Sequence, residues 1–193
     1  MPGKRRSRSV QGEDVLKGLA AGFVGGLVAS FVMNQFQALC GRLMEGKERS
    51  HGAQSLQQGQ PQQSNRPINP DNEDESDDAT ERLASAISEN IFDKELTKPE
   101  KETAGTVIHY LYGTATGAFY GAAAELAPVV TAGVGMPFGA FVWVAGDEGA
   151  VPALGLSKSP AEYPLSTHAY SLASHLVYGL TAEAVRRAVR RAL

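Results

Sequence analysis

Hydrophobic and polar positions in this chain are gathered into separate blocks. Four segments, 18–41, 103–124, 126–146 and 163–182, contain no Asp, Glu, Lys or Arg and run to 24, 22, 21 and 20 residues. A helix on a soluble surface carries charge along its wet face. Uncharged runs of this length match a helix that crosses a bilayer. The pattern predicts a basic leader over 1–14 and a first transmembrane helix over 15–44. Residues 45–78 are rich in Gln and Ser, hold Pro61, Pro67 and Pro70, and end in an acidic run. Nothing there builds a core, so a largely disordered external loop is expected. Asp78 and Glu81 then have capping-box spacing, and Leu83, Ile87 and Ile91 recur at every fourth position. That pattern predicts an amphipathic surface helix over 79–92, with a linker to residue 102. Its bland role is to lie on the membrane or the bundle; its sharper one is to dock a partner.

Three more spans follow, over 103–126, 129–147 and 163–185, with an external connection at 148–162 and a basic tail at 186–193. Pro137 inside the third span predicts a kink. The expected fold is an all-α membrane protein, a four-span transmembrane helix bundle. Lys and Arg near span ends set its orientation. Each terminus carries four such residues, whereas 45–102 holds 14 acidic against 7 basic ones. Both termini are therefore expected in the cytoplasm. Tyr110, Tyr112, Trp143, Tyr163 and Tyr170 fall toward the outer ends of their spans, where an aromatic belt belongs.

Composition adds exclusions. A formal charge of −3, with basic residues split between the termini and a loop, points to no nucleic-acid partner. Cys40 is the one cysteine, which forbids an internal disulfide and a multi-cysteine zinc site. The first apolar run is too long for a cleavable signal peptide and lacks a small-residue cleavage site.

Fourteen of the 21 glycines lie in the four runs. Gly18, Gly22 and Gly26 recur at every fourth residue, as do Gly113, Gly117 and Gly121, and Gly135 with Gly139. In lipid, such small-residue rows let helix backbones approach closely. They predict glycine-rich packing faces, used within one chain or between copies in a homo-oligomer.

The polar residues inside the runs are the candidate chemistry, since ionisable groups in spans face the bundle interior. The predicted topology brings His109, Asp147, Glu148, His168 and Asn34 toward one outer depth, with His175 two turns deeper on the face of His168. Three readings stand: a structural polar network, a cluster that senses or relays protons, or a His/carboxylate site for a divalent metal. No HExxH or ExxH motif supports the metal, no other cofactor is predicted, and no nucleophile constellation marks an enzyme. Glu183 and Arg187 read as a helix-end ion pair.

Residues 96–187 resemble the YagU-like family of bacterial inner-membrane proteins, whose domain has no known function. The resemblance is carried by H-Y-L-Y-G at 109–113, G-A-F-Y-G-A at 117–122, F-G-A-F-V-W at 138–143, G-D-E-G-A-V-P-A-L-G-L at 146–156, Y-P-L-S-T-H at 163–168 and S-H-L-V-Y-G at 174–179. It implies a multi-pass inner-membrane protein and supplies no roles for the histidines. The leading expectation is a non-enzymatic membrane protein that responds to protons or a cation. A membrane assembly protein with structural histidines is the alternative, and a metal-dependent membrane enzyme is third.

Overall fold

The computed structural model describes residues 3–44 and 77–193, with residues 3–11 described by backbone alone. Apart from Asp77 and Asp78, the predicted external loop lies outside the described residues. The described chain is helical, with no strand among the described residues. Helix α1 spans Gly3–Met44, α2 Ala79–Phe92 and α3 Lys98–Leu126. A 3₁₀ stretch, Pro128–Gly135, leads into α4, Met136–Ala145. A π-turn at Gly146–Ala150 and a single helical turn at Val151–Ala153 follow, then a 3₁₀ turn at Pro160–Glu162 and α5, Leu165–Ala192.

Three long helices overrun the predicted spans. α1 begins in the basic leader, α3 begins before residue 103, and α5 continues through the basic tail. Lys, Arg, Glu and Gln are good helix formers, so charge ends an apolar run without ending a helix. The third predicted span differs more. Its first part is not α-helical: Gly133, Val134 and Gly135 all have positive φ, at 69°, 56° and 85°. Pro137 therefore sits in the first turn of α4, where its missing N–H has no intrahelical acceptor to satisfy. It starts a helix and bends none.

Contacts divide the chain into two units. The first comprises residues up to Met33, Tyr110–Phe141 and His175–Leu193. Its helices meet backbone to backbone. A Cβ on Gly22 would strike the Gly117 carbonyl oxygen, one on Gly121 would strike that of Gly18, and one on Gly117 would lie 2.5 Å from the Gly26 Cα. On the other side of α1, a Cβ on Gly25 would come within 2.7 Å of the Ala182 carbonyl oxygen. Gly135 and Gly179 stand against each other's carbonyls, and Gly139 stands against that of His175. Polar groups fill the remaining space. The Tyr178 hydroxyl donates to the Gly113 carbonyl at 2.6 Å, and Ser30 donates to that of Gly26 at 3.0 Å. The Tyr120 ring stacks on Phe138 with centroids 4.1 Å apart.

The second unit comprises Asn34–His109 and Val142–Ser174, as far as these are described. Here α2 lies on the start of α3. The Asp78 carboxylate accepts from the N–H groups of Thr80 and Glu81, and Glu81 accepts from the Asp78 N–H at 3.2 Å, so both capping-box bonds are made. Asp77 is buried and accepts from Lys98 at 2.7 Å and Lys101 at 3.0 Å; Lys98 also donates to Glu81. Burial pushes the Asp77 carboxyl up, but the two ammonium groups outweigh it and hold the pKa below the ordinary value. At Glu81 burial dominates, and the pKa is raised. The buried face of α2 is Ala79, Thr80, Ala84 and Ser88, while Ile87, Ile91 and Phe92 are exposed. The apolar stripe thus points away from the rest of its unit.

Among the described residues, two segments, Gly12–Arg42 and Pro128–Ala153, are long and apolar enough to cross a membrane. Less than half of each is buried, unlike the core helix of a soluble protein. The largest fully buried side chains are Gln37, Glu183, Thr167, Ser30 and Ser174, while Phe23, Phe31, Phe119, Phe141 and Leu165 are exposed.

Two measurements follow from these contacts. Gly117→Ala should destabilise the protein in detergent by about 1–3 kcal/mol, because backbone atoms must move apart to admit the methyl group. Gly12→Ala, where a Cβ meets nothing within 4 Å, should be neutral or stabilising by up to about 1 kcal/mol. Asp77→Asn should cost about 1–2 kcal/mol at neutral pH, kept small because Lys98 is 39% exposed. The depressed pKa makes the Asp77 contribution complete above about pH 4 and lost as the pH falls through the lower folded value. The raised Glu81 pKa works the other way, favouring the fold below about pH 4. Hydrogen exchange in α2, followed against pH in wild type and Asp77→Asn, separates the two.

Candidate functional site

The π-turn after α4 builds the candidate site. A π-turn holds one residue more than an α-turn, and such turns recur at functional sites. Here consecutive carboxylates leave it toward α5. The Asp147 Oδ2 accepts from the Ser171 hydroxyl at 2.5 Å. The Glu148 Oε1 lies 2.6 Å from His168 Nδ1.

The connection before α5 completes the arrangement. Ser159 and Glu162 form a capping box around the turn at Pro160, and the Lys158 N–H donates to the Tyr163 hydroxyl at 3.2 Å. The fixed turn places the Pro160 carbonyl oxygen 3.0 Å from His168 Nε2. His168 therefore faces an acceptor at each ring nitrogen. Filling both contacts takes two protons, one on Nε2 and one shared between Nδ1 and Glu148. Glu148 and His168 are each 19% exposed by side chain, so the pair is neither sealed in nor fully solvated.

The other candidates are distributed as follows. Asn34 on α1 and His109 on α3 belong to the same unit as the pair, and His109 is buried. His175 is buried and belongs to the first unit. Among the described residues, no group of three or more His, Cys, Asp or Glu is placed to hold a metal ion. The ring nitrogens of His168 already have their partners in Glu148 and Pro160.

A second polar centre lies in the first unit. Glu183 is fully buried. It accepts from the Tyr120 hydroxyl at 3.0 Å, from Arg186 at 2.7 and 2.9 Å, and from Arg187 at 2.5 Å. Nearby, Arg190 donates to Glu125 at 2.9 Å and to Asp14 at 2.8 Å, tying the ends of α1, α3 and α5. The spacing of Glu183 and Arg187 reads as a helix-end ion pair, and that pair is made. A sign of the burial of Glu183 is Gly135, where an added Cβ would lie 2.8 Å from the Glu183 Cβ.

Fold and site together define a class: a helical protein with apolar segments long enough to cross a membrane and with polar interior centres. Residues 79–184 match the family model described as a protein of unknown function, DUF1440, which is more than half of the chain. The chain belongs to that family, and the YagU-like resemblance agrees with it. The match begins at α2 and includes Glu148, His168 and Glu183. No curated protein and no solved structure matches the chain.

Glu183→Gln is expected to cost about 3–5 kcal/mol, because it leaves buried Arg186 with only the Glu125 carboxylate, 3.9 Å away. Tyr120→Phe removes one hydrogen bond to the carboxylate and should cost about 1.5–3 kcal/mol. Thermal unfolding in one detergent and buffer ranks them; equal stability of Glu183→Gln and wild type would contradict this account of the centre.

Proposed function

We propose that this chain is a non-enzymatic, multi-pass protein of the bacterial inner membrane that responds to protons or a small cation. In this reading α1, α3, the Pro128–Ala153 segment and α5 cross the bilayer. The termini lie in the cytoplasm, and residues 45–102 and 148–162 lie outside.

The observation that carries the reading is the inverted distribution of side chains. Large apolar residues are exposed on all four long segments: Leu27 at 43%, Phe119 at 74%, Phe141 at 67% and Leu180 at 46%. The largest fully buried side chains are polar. In water an exposed apolar surface of this extent is unfavourable; against acyl chains it is the natural surface. The inversion also explains why α3 and α5 lack the apolar character of the other two segments. They supply the interior, with Thr114 and Tyr120 from α3 and with Thr167, Ser171, Ser174, His175 and Glu183 from α5.

The responsive element is the Glu148–His168 pair. Its two-proton arrangement joins the π-turn, the Pro160 turn and the start of α5, and imidazole exchanges its second proton near physiological pH. Assembly through the glycine rows has less support, because those rows already pack against backbone of the same chain.

Purified wild-type protein should lose thermal stability as the pH is raised from about 6 to about 9, as the pair gives up its second proton. His168→Gln should start lower and show a flatter profile over that range, and Glu148→Gln should behave likewise. A His168→Gln profile parallel to wild type would sink the proton-responsive reading.

A further inference from the structure

The last turns of α5, in the first unit, carry more positive charge than their carboxylates neutralise. Glu183 is shared by Arg186 and Arg187. Arg190 is met by Glu125 and Asp14. Arg191 makes no ion pair among the described residues. The excess lies on one side of the helix. Arg186 is buried, and Arg190 is tied to α1 and α3. Arg187 is 43% exposed by side chain, and Arg191 is exposed as well. Glu183 takes only the Nε donor of Arg187. Both terminal nitrogens of that guanidinium, and the whole Arg191 guanidinium, therefore lack an acceptor among the described residues. Side chains four apart on a helix are neighbours, and the planar guanidinium fork matches a phosphate group.

Apolar surface leads up to these two arginines. Leu180, Ala184, Arg187 and Arg191 follow at i, i+4, i+7 and i+11, which is one helix face, and all four are exposed. The Glu125–Arg190 contact at 2.9 Å sets the end of α3 level with the last turns of α5. At that level Leu126 and Val129 are exposed too. A soluble anion would satisfy the guanidinium groups and leave the apolar row bare. A molecule with an acyl chain and an anionic phosphate matches both parts.

We propose that Arg187 and Arg191 bind the phosphate of an anionic phospholipid, whose acyl chain lies along Leu180 and Ala184. This inference rests on the membrane-spanning reading, in which this end of α5 meets the cytoplasmic leaflet, where basic residues near a span attract anionic lipid. It names a lipid for that surface and leaves the proton response to Glu148 and His168.

The test is thermal unfolding of the purified full chain in a non-ionic detergent at constant pH and ionic strength, with phosphatidylglycerol or phosphatidylcholine added to the micelles. Phosphatidylglycerol should raise the Tm of wild type a few degrees above its value in phosphatidylcholine, saturably, as a ligand of the folded state requires. Arg191→Gln, at a position without an ion pair, should fold as wild type does and lose most of that increment, and Arg191→Lys should keep part of it. Arg187→Gln should start lower, because Glu183 loses a donor, and should lose the increment too. Inorganic phosphate should give none. Equal Tm in the two lipids overturns the proposal. So does an increment that survives in both Arg187→Gln and Arg191→Gln, or one that inorganic phosphate reproduces. Flotation with vesicles of each lipid is read on the same preparations. Flotation without the phosphatidylglycerol increment removes this site alone. Failure to float with either lipid removes the membrane reading as well.

Discussion

Glycine on one helix meeting backbone carbonyl on another is the contact from which the rest of the structure follows. At Gly18, Gly22 and Gly26 against Gly113, Gly117 and Gly121, no Cβ fits between α1 and α3. Helices packed this closely leave an interior with room for Ser, Thr and a few well-placed rings. They leave no layer for Leu and Phe to fill. The large apolar side chains are therefore turned outward, and the small and polar ones inward. Such an arrangement has a favourable solvent only where the surroundings are themselves apolar. Close packing, polar interior and exposed apolar surface are three aspects of a single constraint.

The polar interior must then satisfy itself. Each unit solves this with a carboxylate and its donors. In the first unit Glu183 is held by Tyr120, Arg186 and Arg187. In the second, Asp147 and Glu148 are met by Ser171 and His168. The two solutions differ in chemistry. Guanidinium groups remain charged at every physiological pH, so the Glu183 centre is fixed. Imidazole does not, so the Glu148–His168 pair has two protonation states with different strengths of connection between the π-turn and α5. That contrast is the basis of the proposed proton response at the second centre.

Much of this could be read from residues alone, and the rest had definite reasons to be hidden. The capping box at Asp78 and Glu81 was legible because it depends on local spacing. The glycine rows were legible because four-residue periodicity survives any tertiary arrangement. Glu148 and His168 were both singled out, but their partnership depends on the π-turn, which no spacing rule announces. Pro137 was misplaced because the chain before it takes left-handed φ at Gly133, Val134 and Gly135, so the proline begins a helix that hydropathy had already started. The ion pair of Glu183 and Arg187 was legible from its spacing, but the burial of Glu183 was not, because a charge count does not reveal which side of a helix faces inward. The outward apolar stripe of α2 was obscured for the same reason.

The proposed membrane arrangement is tested most directly by the solvent that touches the exposed apolar side chains. With Cys40 replaced by Ala, single spin labels at Leu27, Phe119, Phe141 and Leu180 would report on α1, α3, α4 and α5 in reconstituted liposomes. All four labels should be relaxed efficiently by oxygen, which concentrates in the acyl chains, and poorly by a water-soluble nickel chelate. The labels on α3 and α5 are decisive, because those helices are uncharged over a span's length but are not among the segments apolar enough to cross a membrane. Strong relaxation of the Phe119 and Leu180 positions by the nickel chelate would show that these surfaces face water, and would contradict the account.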